Sequence, residues 1–255
     1  MRNIRLLIEY KGTNYAGWQI QPNLPTIQGI IQEKIKIITG EEVKLIAAGR
    51  TDVGVHALGQ AANFHTESLI SHIPMQTGLN ALLPDDIVIK DVVEVSPDFD
   101  SRRHALSKTY RYLILNRAYP SAIYRNFSWH VFQKLDIDAM KKAASYLIGK
   151  KDFTSFRAAE CDAQHPIREI IYFSIETTPS VLFLTNSDET GLLALEVKGT
   201  AFLRHMVRIM VGTLVAVGKG KIKLNDFQAI INAKDRRLAG ITAPPQGLFL
   251  KEVEY

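Results

Sequence analysis

Hydrophobic positions along the chain follow two periods in turn. Ile4, Leu6, Ile8 and Tyr10 alternate with Arg5, Leu7 and Glu9, which predicts a largely buried strand. Between Thr26 and Thr39 the period lengthens: Ile27, Ile30, Ile31, Ile35 and Ile38 recur at helical spacing, and Gly40 is placed to cap the end. Strands are expected again at Val43 to Ala48, Gln60 to His65 and Ile87 to Val95, with a helix from Ser71 to Leu83 stopped by Pro84-Asp85-Asp86. Strand, helix, strand, strand, helix, strand is an α+β order in which helices cover one face of a sheet. Around Ser96 to His104 the composition turns polar, and a boundary falls there, dividing the chain into 1–104 and 105–255.

The second part repeats the theme. Strands are expected at Thr109 to Leu115, Ile167 to Thr177, Leu192 to Lys198 and Leu248 to Val253, and helices at Asp136 to Leu147, Thr200 to Val217 and Asn225 to Asn232. Two α+β halves of similar order predict a pseudo-duplicated architecture with a cleft between the halves, without a repeat at the level of residue identity.

One stretch breaks these patterns. Apolar runs lead into and out of Gly49-Arg50-Thr51-Asp52-Val53-Gly54-Val55-His56, yet its middle sets an arginine, a threonine and an aspartate between two glycines. A polar tip between apolar arms is a loop held on a rigid scaffold, a common place for reactive groups; the same pattern also describes an ordinary tight turn with a solvated pair. Gly49 and Gly54 permit backbone angles or close approach that a side chain would block. Arg50 and Asp52, two apart, leave an extended segment on the same side.

Three more segments bear on chemistry. Lys11-Gly12-Thr13-Asn14-Tyr15-Ala16-Gly17-Trp18-Gln19 interleaves aromatics with amides and a lysine, the mix that stacks on bases and grips phosphate, or else packs its rings beneath a loop. In Lys108-Thr109-Tyr110-Arg111-Tyr112, strand alternation puts Tyr110 and Tyr112 on one face, as core or as a stacking surface. Arg204 and Arg208 stand one turn apart in the expected Thr200 to Val217 helix. Like charges at that spacing repel, so at least one wants a carboxylate or phosphate partner.

Composition narrows the class. An apolar fraction of 46% and a charged fraction of 22% over 255 residues are those of a globular protein with a substantial core. The formal charge of +5 favours a polyanionic partner. A single cysteine, Cys161, excludes an internal disulfide and a cysteine-cluster metal site, which makes a reducing cytosol the expected compartment. The N-terminus enters a strand pattern with no targeting core expected, and the most apolar run, Met210 to Val217, is too short to cross a bilayer.

Taken with Leu79-Asn80-Ala81-Leu82-Leu83-Pro84 and Phe202-Leu203-Arg204-His205-Met206-Val207-Arg208, these segments resemble the tRNA pseudouridine synthase A family, in the family's order and across essentially the whole chain. The chain departs from the usual pattern at Val53, where alanine is common, and at Lys11, where aspartate is frequent. The resemblance implies two ferredoxin-like halves forming a continuous antiparallel or mixed sheet, helices on one face, and an active-site cleft between them. It implies a cofactor-free isomerase that turns uridine into pseudouridine in the anticodon stem-loop of tRNA, at positions 38, 39 and 40, as a homodimer in the cytoplasm. By the same resemblance, Asp52 is the catalytic aspartate, Tyr110 the active-site tyrosine, Arg208 the basic partner of the aspartate, and Leu248 an apolar wall of the pocket. Arg50 matches the arginine that holds the target nucleotide out of its stem, and Arg102, Arg103 and Arg157 join the expected RNA contacts.

Those residue types suit that chemistry. Moving a base from a C–N to a C–C glycosidic bond needs a nucleophile that can add and later leave, and a carboxylate does both. A carboxylate in an apolar pocket tends to take up a proton, and a nearby arginine opposes this. Two other classes use the same residues. A non-catalytic RNA-binding or chaperone module would share the basic and aromatic surface but has no need of the aspartate. A metal-dependent nuclease would use Asp52 and His56 but calls for further convergent carboxylates.

Overall fold

The computed structural model describes residues 1–159, 161, 163–177 and 191–255. Ten β-strands and five α-helices occur among them, giving the expected α+β class. The chain divides into two compact units, Met1–Lys108 with Phe249–Tyr255, and Thr109–Leu248. The closing strand thus counts with the first unit, whose unbroken run reaches Lys108.

In the first unit, β1 (Arg2–Tyr10) pairs antiparallel with both β3 (His56–Thr66) and β4 (Ile87–Val95). The alternation read from the sequence is obeyed: Ile4, Leu6 and Ile8 are fully buried and Tyr10 nearly so. The other edge of β3 is shared. The last strand, β10 (Leu248–Glu254), lies parallel to the start of β3 through Phe249↔His56, and β2 (Ile46–Ala47) pairs farther along through Ile46↔Asn63. Helix α1 (Ile27–Thr39) is capped by the Thr26 hydroxyl, which accepts from the Gly29 N–H, and ends at Gly40 with φ 77°. Helix α2 (His72–Leu82) packs against α1 and β4.

The strand expected from Val43 to Ala48 shrinks to β2. The reason lies in α1. Gln28 Nε2 donates to the Leu45 carbonyl at 3.0 Å and the Leu45 N–H donates to Gln32 Oε1 at 3.3 Å, so side-chain amides take the groups that a sheet ladder would have used.

The second unit sets β5 (Ser107–Asn116), β9 (Leu192–Gly199), β8 (Ile167–Thr177) and β7 (Gly149–Asp152) side by side, with the short β6 (Trp129–Val131) parallel to β5. Helix α3 (Ile137–Ser145), capped by Asp136, packs on β8, α4 (Met206–Gly218) and α5 (Leu224–Ala233). Ile209, Met210, Val211 and Leu214 of α4 are buried on all sides, which makes it the core helix of this unit. Among the described residues no helix is long and apolar enough to cross a membrane.

The expectation that α4 begins at Thr200 is corrected. His205 takes a left-handed backbone, φ 61°, and the Leu203 carbonyl accepts from the Met206 N–H in a turn, so the helix starts only at Met206. Arg204 lies exposed in that turn. The two arginines therefore do not stand one turn apart on a single helix, and the helical spacing from which their repulsion was argued does not hold.

Candidate active site

The aspartate loop runs from β2 to β3 with no regular structure of its own, and neighbouring backbone holds it in place. The Trp18 N–H donates to the Thr51 carbonyl at 3.0 Å, and the Val55 N–H closes a turn onto the Asp52 carbonyl at 3.2 Å, with Gly54 at φ 75°. Gly12 and Gly17 explain why glycines punctuate the opening segment. A Cβ on Gly12 would lie 1.9 Å from the Val55 carbonyl oxygen, and one on Gly17 would lie 2.7 Å from that of Thr51. The opening segment therefore lies directly on the aspartate loop, as only glycine permits.

Thr51 is the pivot. It is buried, and its hydroxyl shares a 2.7 Å hydrogen bond with the buried Tyr10 hydroxyl. With Thr51 turned inward, its neighbours divide between surface and interior: Arg50 is exposed and Asp52 half-buried. Gln60, fully buried on β3, holds the loop's first arm through Nε2 to the Gly49 carbonyl at 2.7 Å. Burial pushes the Tyr10 phenol well above its ordinary 10.0, outweighing its hydrogen bond with Thr51, so it stays protonated at physiological pH.

The aromatics of the opening segment pack beneath it and are not displayed for stacking. Trp18 is 1% exposed and Tyr15 is 7% exposed, its hydroxyl bonded to the Asp86 carboxylate. His56 likewise serves the scaffold: its Nδ1 accepts the Gly12 N–H at 3.0 Å and its ring stacks on Phe249 at 4.8 Å. Among the described residues no three of His, Cys, Asp or Glu gather where a cation could sit.

Tyr110, Arg208 and Leu248 belong to the second unit, whereas Arg50 and Asp52 belong to the first. Tyr110 is buried on β5 with its ring edge-on to Phe202 at 5.0 Å, and Leu248 is buried at the start of β10. Arg208, half-buried on α4, donates from Nε to the Ala243 carbonyl at 2.7 Å, while the Ala243 N–H returns a bond to the Arg208 carbonyl at 3.0 Å. That clamp depends on close backbone approach. A Cβ on Gly212 would lie 1.9 Å from the Ile241 carbonyl oxygen, so the segment before Ala243 can lie flat on the helix.

The next residue along extends the same device. Tyr112, two positions beyond Tyr110 and fully buried, donates to the Pro244 carbonyl at 2.8 Å, and its ring abuts Gly247, where a Cβ would come within 2.6 Å. Its phenol is pushed up by burial, an effect the Arg208 charge partly offsets. No side-chain period in the sequence marks residues 243–246. The Pro244-Pro245 pair was the available signal, but the working groups are backbone carbonyls, which side-chain patterns do not report.

The family model and the similar sequences come to one family. A family model described as tRNA pseudouridine synthase matches residues 6–102 and 143–255. A tRNA pseudouridine synthase A of Acetivibrio thermocellus is 48% identical over the full length of both chains. One from Myxococcus xanthus is 44% identical over 100% of this chain and 92% of its own. A chain from the crystal structure of a Cbf5-Nop10-Gar1 complex matches at 14% identity with a TM-score of 0.32; the match covers 83% of this chain and 54% of the other, so this chain spans about half its length.

Proposed function

The chain belongs to the tRNA pseudouridine synthase family, and from that premise we propose that it converts uridine to pseudouridine in the anticodon stem-loop of tRNA, at positions 38, 39 and 40. It works in the cytoplasm without a cofactor, and as a homodimer because an L-shaped tRNA is larger than one protomer. The observation that carries this reading is the aspartate loop: a half-buried carboxylate beside the inward-turned Thr51, on a backbone fastened by Thr51, Gly12 and Gly17.

In this proposal Asp52 is the nucleophile. A base paired in a stem is out of reach, so the nucleotide is first turned out at a cost of about a few kcal/mol. Exposed Arg50 occupies the vacated space, and Tyr110 receives the base. Asp52 then adds to the nucleotide, the bond from the sugar to N1 of the base breaks and the base turns; C5 bonds to the sugar as the carboxylate leaves, C5 gives up its proton and N1 takes one up. No atom is gained or lost overall, so no co-substrate is called for. Arg208 favours the ionised carboxylate, and Leu248 provides an apolar wall that excludes water.

The test is incubation with an unmodified tRNA transcript in the presence of a chelator, followed by mapping of pseudouridine and strand breaks. Pseudouridine confined to positions 38 to 40, with intact strands, is the expected result. Binding without pseudouridine would identify a non-catalytic RNA-binding module, and cleavage would identify a nuclease.

A further inference from the structure

Gln60 lies where a polar side chain needs a reason. It stands on β3 opposite Ile8 of β1 and is 0% exposed. On the other side, β10 runs so close that a Cβ on Gly59 would come within 2.6 Å of the Lys251 carbonyl oxygen, so strands flank the Gln60 backbone on both sides. Only the nitrogen of its amide can donate to a carbonyl, and Nε2 does so, to Gly49 at 2.7 Å. Oε1 has no hydrogen-bond partner among the described residues. Leucine would fill a similar volume without stranding that oxygen, so packing does not account for the glutamine and the bond to Gly49 does.

That bond acts on one peptide. The Gly49 carbonyl and the Arg50 N–H belong to the same planar unit, so aiming the carbonyl at Gln60 also fixes the direction in which Arg50 starts. The chain is held on either side of this peptide. Before it, the Ala48 N–H donates to the Ala61 carbonyl at 2.8 Å. After it, the Thr51 carbonyl accepts the Trp18 N–H at 3.0 Å, and the Thr51 hydroxyl shares its 2.7 Å bond with Tyr10. Between these ties the Gly49–Arg50 peptide is the link most free to turn over, because a glycine precedes it. Gln60 removes that freedom from the interior while the Arg50 side chain stays exposed.

Resting on the function proposed above, in which Arg50 occupies the space of the turned-out nucleotide, we propose that Gln60 is a positioning residue for Arg50. Its amide holds the Gly49–Arg50 peptide in the orientation from which the guanidinium enters the RNA stem. The support comes from a strand in the middle of the sheet, and fixing the peptide before RNA arrives removes part of the ordering cost of that insertion.

The experiment compares two unmodified tRNA transcripts, one with the target uridine paired in its stem and one with a mismatch opposite it. Single-turnover rates and Kd are measured for the full-length parent, Gln60→Leu, Gln60→Met, Arg50→Met and the double variant Arg50→Met/Gln60→Leu. On the paired transcript both Gln60 variants should lose about ten- to thirtyfold in rate, with Kd within about threefold of the parent because no charge is removed. On the mismatched transcript, where turning the base out costs least, the loss should shrink to about threefold or less. The double variant should be no slower than Arg50→Met, because Gln60 then has nothing left to position. A general loosening of the fold would instead slow both transcripts alike and add to the Arg50→Met loss. Either of those results overturns the positioning role, as does a parent-like rate for the Gln60 variants on the paired transcript. Should Gln60→Leu fail to fold, Gln60→Met, unbranched like glutamine, supplies the same comparison. Failure of the underlying reading looks different: a parent that makes no pseudouridine from either transcript overturns both, and a parent-like Arg50→Met rate on the paired transcript overturns the role of Arg50 and its positioning together.

Discussion

The Tyr10–Thr51 bond ties the aspartate loop to β1, and a double-mutant cycle measures how firmly. Both hydroxyls are buried, at 3% and 7% exposure, and share a 2.7 Å hydrogen bond. Thr51→Val keeps the branched shape but leaves the Tyr10 hydroxyl without this partner; Tyr10→Phe does the reverse. Each single substitution should cost about 1–3 kcal/mol, the desolvation penalty of a stranded polar group. Removing both should cost less than the sum by about 1 kcal/mol or more, because no hydroxyl is then left facing an apolar wall. Trp18 reports on this unit: it is buried 6.0 Å from the Tyr10 ring, and its N–H bonds the Thr51 carbonyl. Urea unfolding followed by Trp18 fluorescence, in a Trp129→Phe background, gives the four free energies of the cycle. Additive losses, or single losses within about 0.5 kcal/mol of zero, would refute the view that this buried pair anchors the loop.

Two further predictions concern the second unit and its chemistry. Arg208→Met removes both the charge and the Nε donor to Ala243, whereas Arg208→Lys keeps the charge, so single-turnover pseudouridine formation should fall about 100-fold or more for Met and distinctly less for Lys; equal losses would make Arg208 a structural clamp only. At high pH, the buried Tyr10 and Tyr112 phenols remain protonated in the folded chain while the unfolded phenol titrates at its ordinary 10.0, so above pH 10 the folded state binds more protons. The stability they contribute is therefore fully present below about pH 9 and lost as pH climbs past 10 toward the raised folded values, and urea midpoints from pH 8 to 11 should fall less steeply for Tyr112→Phe.

Local signals and long-range ones fared differently. Helix α1 was legible through its period and its C-terminal cap, Gly40, because side-chain spacing and capping chemistry agree within one segment; Thr26, read as the start of the helix, is its N-cap. Strand β1 was legible because one side of its alternation is fully buried. The start of α4 was missed because Thr200 to His205 continues an apolar, helix-compatible run, and only the left-handed backbone at His205 separates the two. Strands β6 and β7 are too short for a period to show. The parallel seating of β10 on β3 joins residues nearly two hundred positions apart, which no local pattern encodes. In the site, Gly12 and Gly17 were visible as glycines, but their reason, carbonyls of the aspartate loop pressed against them, appears only in three dimensions. Of the two readings the opening segment allowed, rings packed beneath the loop hold for Tyr15 and Trp18; composition alone does not distinguish a ring under a loop from one on it.

The central claim is that Asp52 performs the chemistry on a loop that the rest of the first unit holds still. Asp52→Asn keeps the size of the side chain and removes the nucleophilic carboxylate. Single-turnover assays at saturating tRNA, with Kd measured in parallel, should show no pseudouridine from this variant while affinity stays within about tenfold of the parent, because losing a negative charge does not weaken phosphate contacts. Turnover above about a few per cent of the parent rate, by a variant that binds tRNA normally, would contradict the account.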